Sequence, residues 1–185
     1  WVWRLGDART GLGIAQGLGV PELVGRLLAG RGIGIEDAAH FLEPTLRALL
    51  PDPSSLADMD AAADRLARAV REGERVAVFG DYDVDGACAG ALMVSFLRDL
   101  GCEVLPYVPD RLKEGYGPNA TAIAALCDAG ATLIVCVDCG IAAAEALEAA
   151  RGRADVVVLD HHKAEGPLQR ILAAVNPNRL NCTSG

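Results

Sequence analysis

Three short polar clusters in this chain each follow directly on an apolar run. Gly80-Asp81-Tyr82-Asp83-Val84-Asp85-Gly86 follows Val76-Ala77-Val78-Phe79, Asp138-Cys139-Gly140 follows Val135-Cys136-Val137, and Asp160-His161-His162-Lys163 follows Val156-Val157-Val158-Leu159. If the apolar runs are parallel strands of one sheet, the clusters meet just beyond the strands' carboxyl ends, where open parallel sheets bind ligands. Five carboxylates and two imidazoles gathered there would repel one another at neutral pH unless a cation lay among them. Oxygen ligands with one or two histidine nitrogens suit manganese, magnesium or a similar divalent ion rather than a thiolate zinc site. Two such ions about 4 Å apart can activate a water and hold both the attacking and the leaving oxygen of a phosphate. Phosphoester hydrolysis is the chemistry this pattern fits best.

Each cluster also has a plainer reading. Asp81, Asp83 and Asp85 before Gly86 read on their own as a solvated turn, and Asp138 before a glycine reads as a helix cap. The adjacent His161 and His162 are harder to dismiss, because the chain has only three histidines. The third, His40, lies beside Phe41 on a leader helix and reads as structural. An EF-hand is excluded because Leu92 stands where the loop's closing glutamate belongs, and no P-loop G-K-S/T follows a strand. A dinucleotide-binding G-x-G-x-x-G is missing after the first strand, and three aspartates there would repel a pyrophosphate without metal. Cys136 and Cys139 form a C-x-x-C pair without a second pair at zinc spacing. With Cys136 inside an apolar run, small buried thiols are expected, and six scattered cysteines point to an intracellular chain.

The elements that must position these clusters begin at Asp58. Asp58 or Asp60 is placed to cap a helix with Met59, Ala62, Ala63, Leu66, Ala69 and Val70 on one face and Gly73 at its end. Strands are predicted at Arg75–Phe79, Glu103–Val108, Leu133–Asp138 and Asp155–Asp160, and helices at Gly86–Leu100, Asn119–Ala129 and Ile141–Arg151. This alternation predicts an α/β fold with a doubly wound parallel sheet. Before it, residues 1–57 read as a small helical leader, with helices over Pro21–Gly30 and Ile35–Leu42 and loop chemistry at Pro51-Asp52-Pro53. Residues 58–185 are then the catalytic domain.

At 185 residues, there is room for one sizeable α/β domain plus a small extra element, and aromatics at 4% leave the core to Ala, Val and Leu. Apolar runs fall short of the roughly 18 residues that span a bilayer, so a soluble, cytoplasmic protein is expected, away from membranes. A net charge of −8 argues on its face against nucleic acid. Divalent ions at an acidic site invert that local sign. The chain starts at Trp1 without methionine and stops at Thr183-Ser184-Gly185, so both ends read as cut.

GDYDVDG, DCG and DHH, in this order, resemble the first three motifs of the DHH phosphoesterase superfamily. More narrowly, the chain resembles the RecJ family of bacterial single-stranded-DNA-specific exonucleases. Support comes from Leu27-Leu28-Ala29-Gly30-Arg31-Gly32-Ile33, Phe41-Leu42-Glu43-Pro44, Val108-Pro109-Asp110-Arg111 with Glu114-Gly115-Tyr116-Gly117, and Val175-Asn176-Pro177-Asn178-Arg179. The resemblance implies that Asp83, Asp85, Asp138 and His161 hold one or two Mn2+ or Mg2+ ions, with Asp138 bridging. It assigns His162 to the scissile phosphate, Asp160 and Asp81 to orienting and supporting the catalytic groups, and Arg111 and Tyr116 to substrate. Arg111 reads equally well as a surface salt bridge. The partner implied is single-stranded DNA in repair and recombination, with repair or replication proteins nearby. Phe79 stands where some superfamily members carry a histidine, and a fourth motif with a further metal-binding aspartate has no counterpart here, so an incomplete catalytic core is expected. The alternatives are a phosphodiesterase acting on short RNA or cyclic dinucleotides, and a non-catalytic scaffold.

Overall fold

The computed structural model describes residues 7–163, 171–182 and 184; the two ends read as cut, Trp1 and Gly185, lie outside the described residues. The chain forms two compact units, Trp1–Pro51 and Asp52–Gly185.

The first unit contains α1 (Ala8–Leu18), α2 (Glu22–Gly30), α3 (Ala38–Leu42) and α4 (Leu46–Leu49). Helix α1 lies in a stretch for which no element was predicted from the sequence. Its ends explain it: the Asp7 carboxylate accepts from the Thr10 N–H at 2.9 Å, and Gly19 closes the helix at φ 65°. Gly11 is a contact point. A Cβ on Gly25 would lie 2.1 Å from the Gly11 carbonyl oxygen, so the close approach of α1 and α2 here needs a glycine at position 25. Ile14, Leu28, Ala29 and Ala38 form the small core. The helix expected over Ile35–Leu42 is confined to α3, where His40 is exposed.

The second unit carries α5 (Met59–Glu72), β1 (Arg75–Gly80), α6 (Val84–Asp99), β2 (Glu103–Tyr107), α7 (Ala120–Asp128), β3 (Leu133–Val137), α8 (Ala144–Leu147), β4 (Asp155–Leu159) and β5 (Ala173–Val175). All neighbouring strands are parallel, in the order β2-β1-β3-β4-β5. Alternate residues face opposite sides. Phe79, Ile134, Cys136 and Val158 pack with Ile123 of α7 and Leu147 of α8, while Val78, Val135, Val137 and Val157 pack with Ala62 and Ala69 of α5 and Leu97 of α6. Burial on both faces is why the strands read as unbroken apolar runs. The sheet is doubly wound: from β1 the chain moves outward to β2, then returns past β1 to β3 and onward. The gap between β1 and β3 is therefore the topological switch point, where such sheets open a crevice.

Two local expectations needed correction. The helix predicted over Ile141–Arg151 is α8 followed by a 3-10 turn at Glu148–Ala150. Asp58 holds the N-cap position of α5, yet its side chain makes no cap; its Oδ2 accepts from the Ala174 N–H at 3.1 Å and from Arg179 Nη1 at 2.6 Å. At the amino ends of the strands, buried Arg65 donates from Nε to Asp155 Oδ2 at 2.6 Å and grips both oxygens of Glu74 at 2.9 and 2.8 Å.

Candidate metal centre

The first cluster leaves β1 and turns at once into α6. Asp83 caps that helix, its Oδ1 accepting from the Gly86 N–H at 2.9 Å. The turn is tight enough that a Cβ on Gly86 would sit 2.7 Å from the backbone N and O of Asp81, which fixes the second glycine of the cluster. Asp85 is exposed on the first turn of α6. Asp81 is 1% exposed, and its Oδ1 has no hydrogen-bond partner among the described residues. An ionised carboxylate oxygen buried without a partner is costly, and a cation relieves it.

The second cluster leaves β3 at the facing edge of the switch point. Asp138 is buried and adopts φ 58°, a left-handed conformation that few residues other than glycine hold. Its N–H donates to the Leu159 carbonyl at 2.9 Å, anchoring it to the end of β4. Gly140 follows at φ 108°, where a Cβ would press on Cys136 Cβ at 3.1 Å. The helix-cap reading of Asp138 does not apply, since α8 begins only at Ala144. Cys136 and Cys139 are buried free thiols, as expected; burial pushes Cys136 up to about 12.

The third cluster completes the convergence. His161 Nε2 lies 2.9 Å from Asp138 Oδ1, and one ligand atom from each of Asp138, His161 and His162 falls within 4.8 Å of the others. Buried Asp160 sits behind them, accepting from the N–H groups of Ile141, His161 and His162 and from His162 Nδ1 at 2.7 Å. That last bond, ahead of burial which opposes it, raises the proton affinity of His162. Burial works to raise Asp160, but its N–H donors outweigh it and hold the carboxyl below the ordinary range. Asp138 is raised, first by burial and then by the charge of Asp83, with His161 opposing. Asp83 and Asp85 lie outside the three-residue cluster. Asp85 shares with Asp138, Asp160 and His161 the lining of an open groove of about 500 Å³, whose other walls include Met59 and Cys88. The Asp138 carboxylate and two imidazoles are a donor set that fits a hard or borderline divalent cation.

Arg111 and Tyr116 come from the loop between β2 and α7. Glu114 fastens this loop, accepting from Tyr107 Oη at 2.5 Å, the Asp110 N–H at 2.7 Å and Asn119 Nδ2 at 3.1 Å. Tyr116 Oη reaches 3.3 Å from His162 Nε2 and 3.4 Å from the Asp138 carbonyl. Arg111 makes no ion pair among the described residues; its guanidinium lies over the Tyr82 ring, 5.1 Å from the centroid. Tyr82 in turn meets Tyr116 edge-on at 6.4 Å. Sequence reasoning passed over Tyr82, although it stands inside the first cluster and aromatics are scarce. It also gave no role to Asn176 and Asn178, whose carboxamides reach the carbonyls of His162 and His161.

The sequence profile of the DHH family, N-terminal domain, matches residues 75–185. The single-stranded-DNA-specific exonuclease RecJ of Bacillus subtilis (strain 168) is 36% identical over 171 residues, covering 92% of this chain and 22% of that protein. Its counterpart in Escherichia coli (strain K12) is 39% identical over 165 residues, covering 88% and 28%. A crystal structure of exonuclease RecJ bound to manganese matches with a TM-score of 0.60 at 36% identity, over 66% of this chain and 31% of that one. RecJ from Thermus thermophilus in complex with Mn2+ matches with a TM-score of 0.76 at 28% identity, over 97% and 25%. The chain spans about a quarter of the length of these relatives.

Proposed function

Because this chain belongs to the DHH family, we propose that it is the metal-binding part of an exonuclease that hydrolyses phosphodiester bonds in single-stranded DNA. The observation that carries the reading is the meeting of Asp138, His161 and His162 at the β1/β3 switch point, with Asp81, Asp83 and Asp85 on the facing strand exit. The names of the RecJ relatives support the substrate, and the manganese-bound neighbours support the ion. In this reading Asp83, Asp85, Asp138 and His161 hold one or two Mn2+ or Mg2+ ions. When bound, such an ion lowers the pKa of water and screens the charge of a phosphate.

The chain's own groups do the rest. His162, its Nδ1 fixed by Asp160, presents Nε2 to a phosphate oxygen and carries a proton more readily than a free imidazole. Tyr116 stands beside that nitrogen, and Arg111 offers charge at the rim on the Tyr82 ring. We take residues 1–57 as a leader and 58–185 as a catalytic core completed by further chain. Single-stranded DNA arises in repair and recombination, and that cytoplasmic setting, with repair or replication proteins as neighbours, is the one we assign. Among the described residues no helix is long and apolar enough to cross a membrane.

Manganese titration by calorimetry tests the reading. Heat of binding that disappears in His161→Ala is expected; a folded chain, extended past Gly185, that still takes no manganese overturns it.

A further inference from the structure

The backbone of the His161–His162 dipeptide is held at four polar groups by three side chains. Both N–H groups donate to Asp160 Oδ1, at 2.7 and 3.0 Å. Both carbonyls are taken from the other side: His162 O accepts from Asn176 Nδ2 at 2.8 Å, and His161 O accepts from Asn178 Nδ2. Just past the end of a strand these four groups would ordinarily turn to water. The two asparagines are themselves linked, since Asn176 Oδ1 accepts from the Asn178 N–H at 2.7 Å. Asn176 is fully buried, and both ends of its carboxamide are used, one donating and one accepting. Aspartate could not donate to the histidine carbonyl, and serine is too short to serve both partners. Arg179 then pins the segment, donating to Asp58 Oδ2 at 2.6 Å and to the Ala174 carbonyl.

We infer that Asn176 and Asn178 are positioning residues for the histidine pair: by gripping the carbonyls of His162 and His161 they hold the His161 imidazole against Asp138 and the His162 imidazole against Asp160, a role that rests on the metal reading above. Neither asparagine is a ligand, and neither belongs to the carboxylate and histidine sets of the three clusters. Partners of this kind set metal affinity through the direction of the ligand, and their loss typically costs about 10–100-fold. Asn178 is exposed, so its replacement leaves the core intact.

The test compares the chain with Asn178→Ala, which removes the donor without adding charge, and with Asn178→Asp, which keeps the shape but turns the donor into a charged acceptor. Manganese affinity is measured by calorimetry, melting temperature by circular dichroism, and the imidazole resonances of the metal-free protein by NMR, with His40 as internal control. The expected result is about a 10–100-fold loss of affinity with a melting temperature near that of the parent. The resonances of His161 and His162 should shift or broaden while those of His40 stay. Parental affinity and parental resonances in both variants overturn the inference. If the parent itself binds no manganese but the resonances of the pair move in the variants, the clamp stands and the metal reading falls. Asn178→Ala failing to fold leaves the decision to Asn178→Asp, judged by the same measurements.

Discussion

At the scale of single residues, the site divides into groups that a sequence exposes and groups that it hides. The meeting of Asp138 and His161 was legible because each follows an apolar strand of one parallel sheet, whereas Asp83 lies outside their cluster and caps α6. We expect Asp138→Ala and His161→Ala to abolish hydrolysis in the full-length protein with the fold retained, as read by nuclease assay beside circular dichroism. Tyr82, Asn176 and Asn178 were hidden because stacking on a guanidinium or gripping a backbone carbonyl leaves no periodicity and no motif of its own. Gly86 lies between these cases: its place in the cluster was visible, but its necessity came only from the 2.7 Å approach to Asp81. Gly86→Ala should cost about 1–3 kcal/mol through that overlap and weaken manganese binding, a pair of effects that urea denaturation and calorimetry separate.

Among elements, the strands of the sheet were read nearly to the residue because burial on both faces makes them continuous apolar runs. Short or glycine-bearing pieces were not. Strand β5 has only three residues, and α1 carries Gly11 at its crossing with α2 instead of at a break. Gly25→Ala would drive a Cβ to within 2.1 Å of the Gly11 carbonyl, so the first unit should lose stability by about 1–3 kcal/mol or more. Hydrogen exchange resolved to α1 and α2 measures that loss directly. The loop after β2 depends on Glu114, whose carboxylate is held below its ordinary range first by the Tyr107 hydroxyl and then by the Asp110 N–H. Its hydrogen bond in turn lifts Tyr107 to about 12. Replacing Glu114 with alanine should free Arg111 and Tyr116 and raise the KM of the full-length enzyme for single-stranded DNA more than it lowers kcat. Equal effects on both would count against a loop that serves substrate.

For the whole molecule, the fold class followed from the alternation of elements, but the lock on the sheet's amino ends did not. Asp155 lies 90 residues from Arg65, and nothing in the spacing of Arg65, Glu74 and Asp155 links them. Glu74 is depressed below its ordinary carboxyl range, first by the Arg65 hydrogen bond, with burial opposing. A group depressed in the folded state contributes stability above its unfolded pKa, here near 4.5, and loses it as pH falls through the folded value. Glu74→Ala should therefore lower stability at neutral pH by about 1–3 kcal/mol, since it removes one of the two carboxylates that pair with a buried guanidinium. The same variant should show a shallower decline than the parent as the solution is acidified below the unfolded value. Chemical denaturation repeated across that pH range decides the point.

The clamp on the histidine pair also has a meaning in the order of synthesis. The side chains proposed to hold metal all precede residue 163 in the order of synthesis, but the carbonyls of His161 and His162 find their holders only at Asn178 and Asn176. β4 likewise gains its outer neighbour only when Ala173–Val175 arrives. In a growing chain the acidic and imidazole groups therefore precede the residues that hold the histidine backbone, and the proposed centre can take its final shape only once residue 178 has followed them.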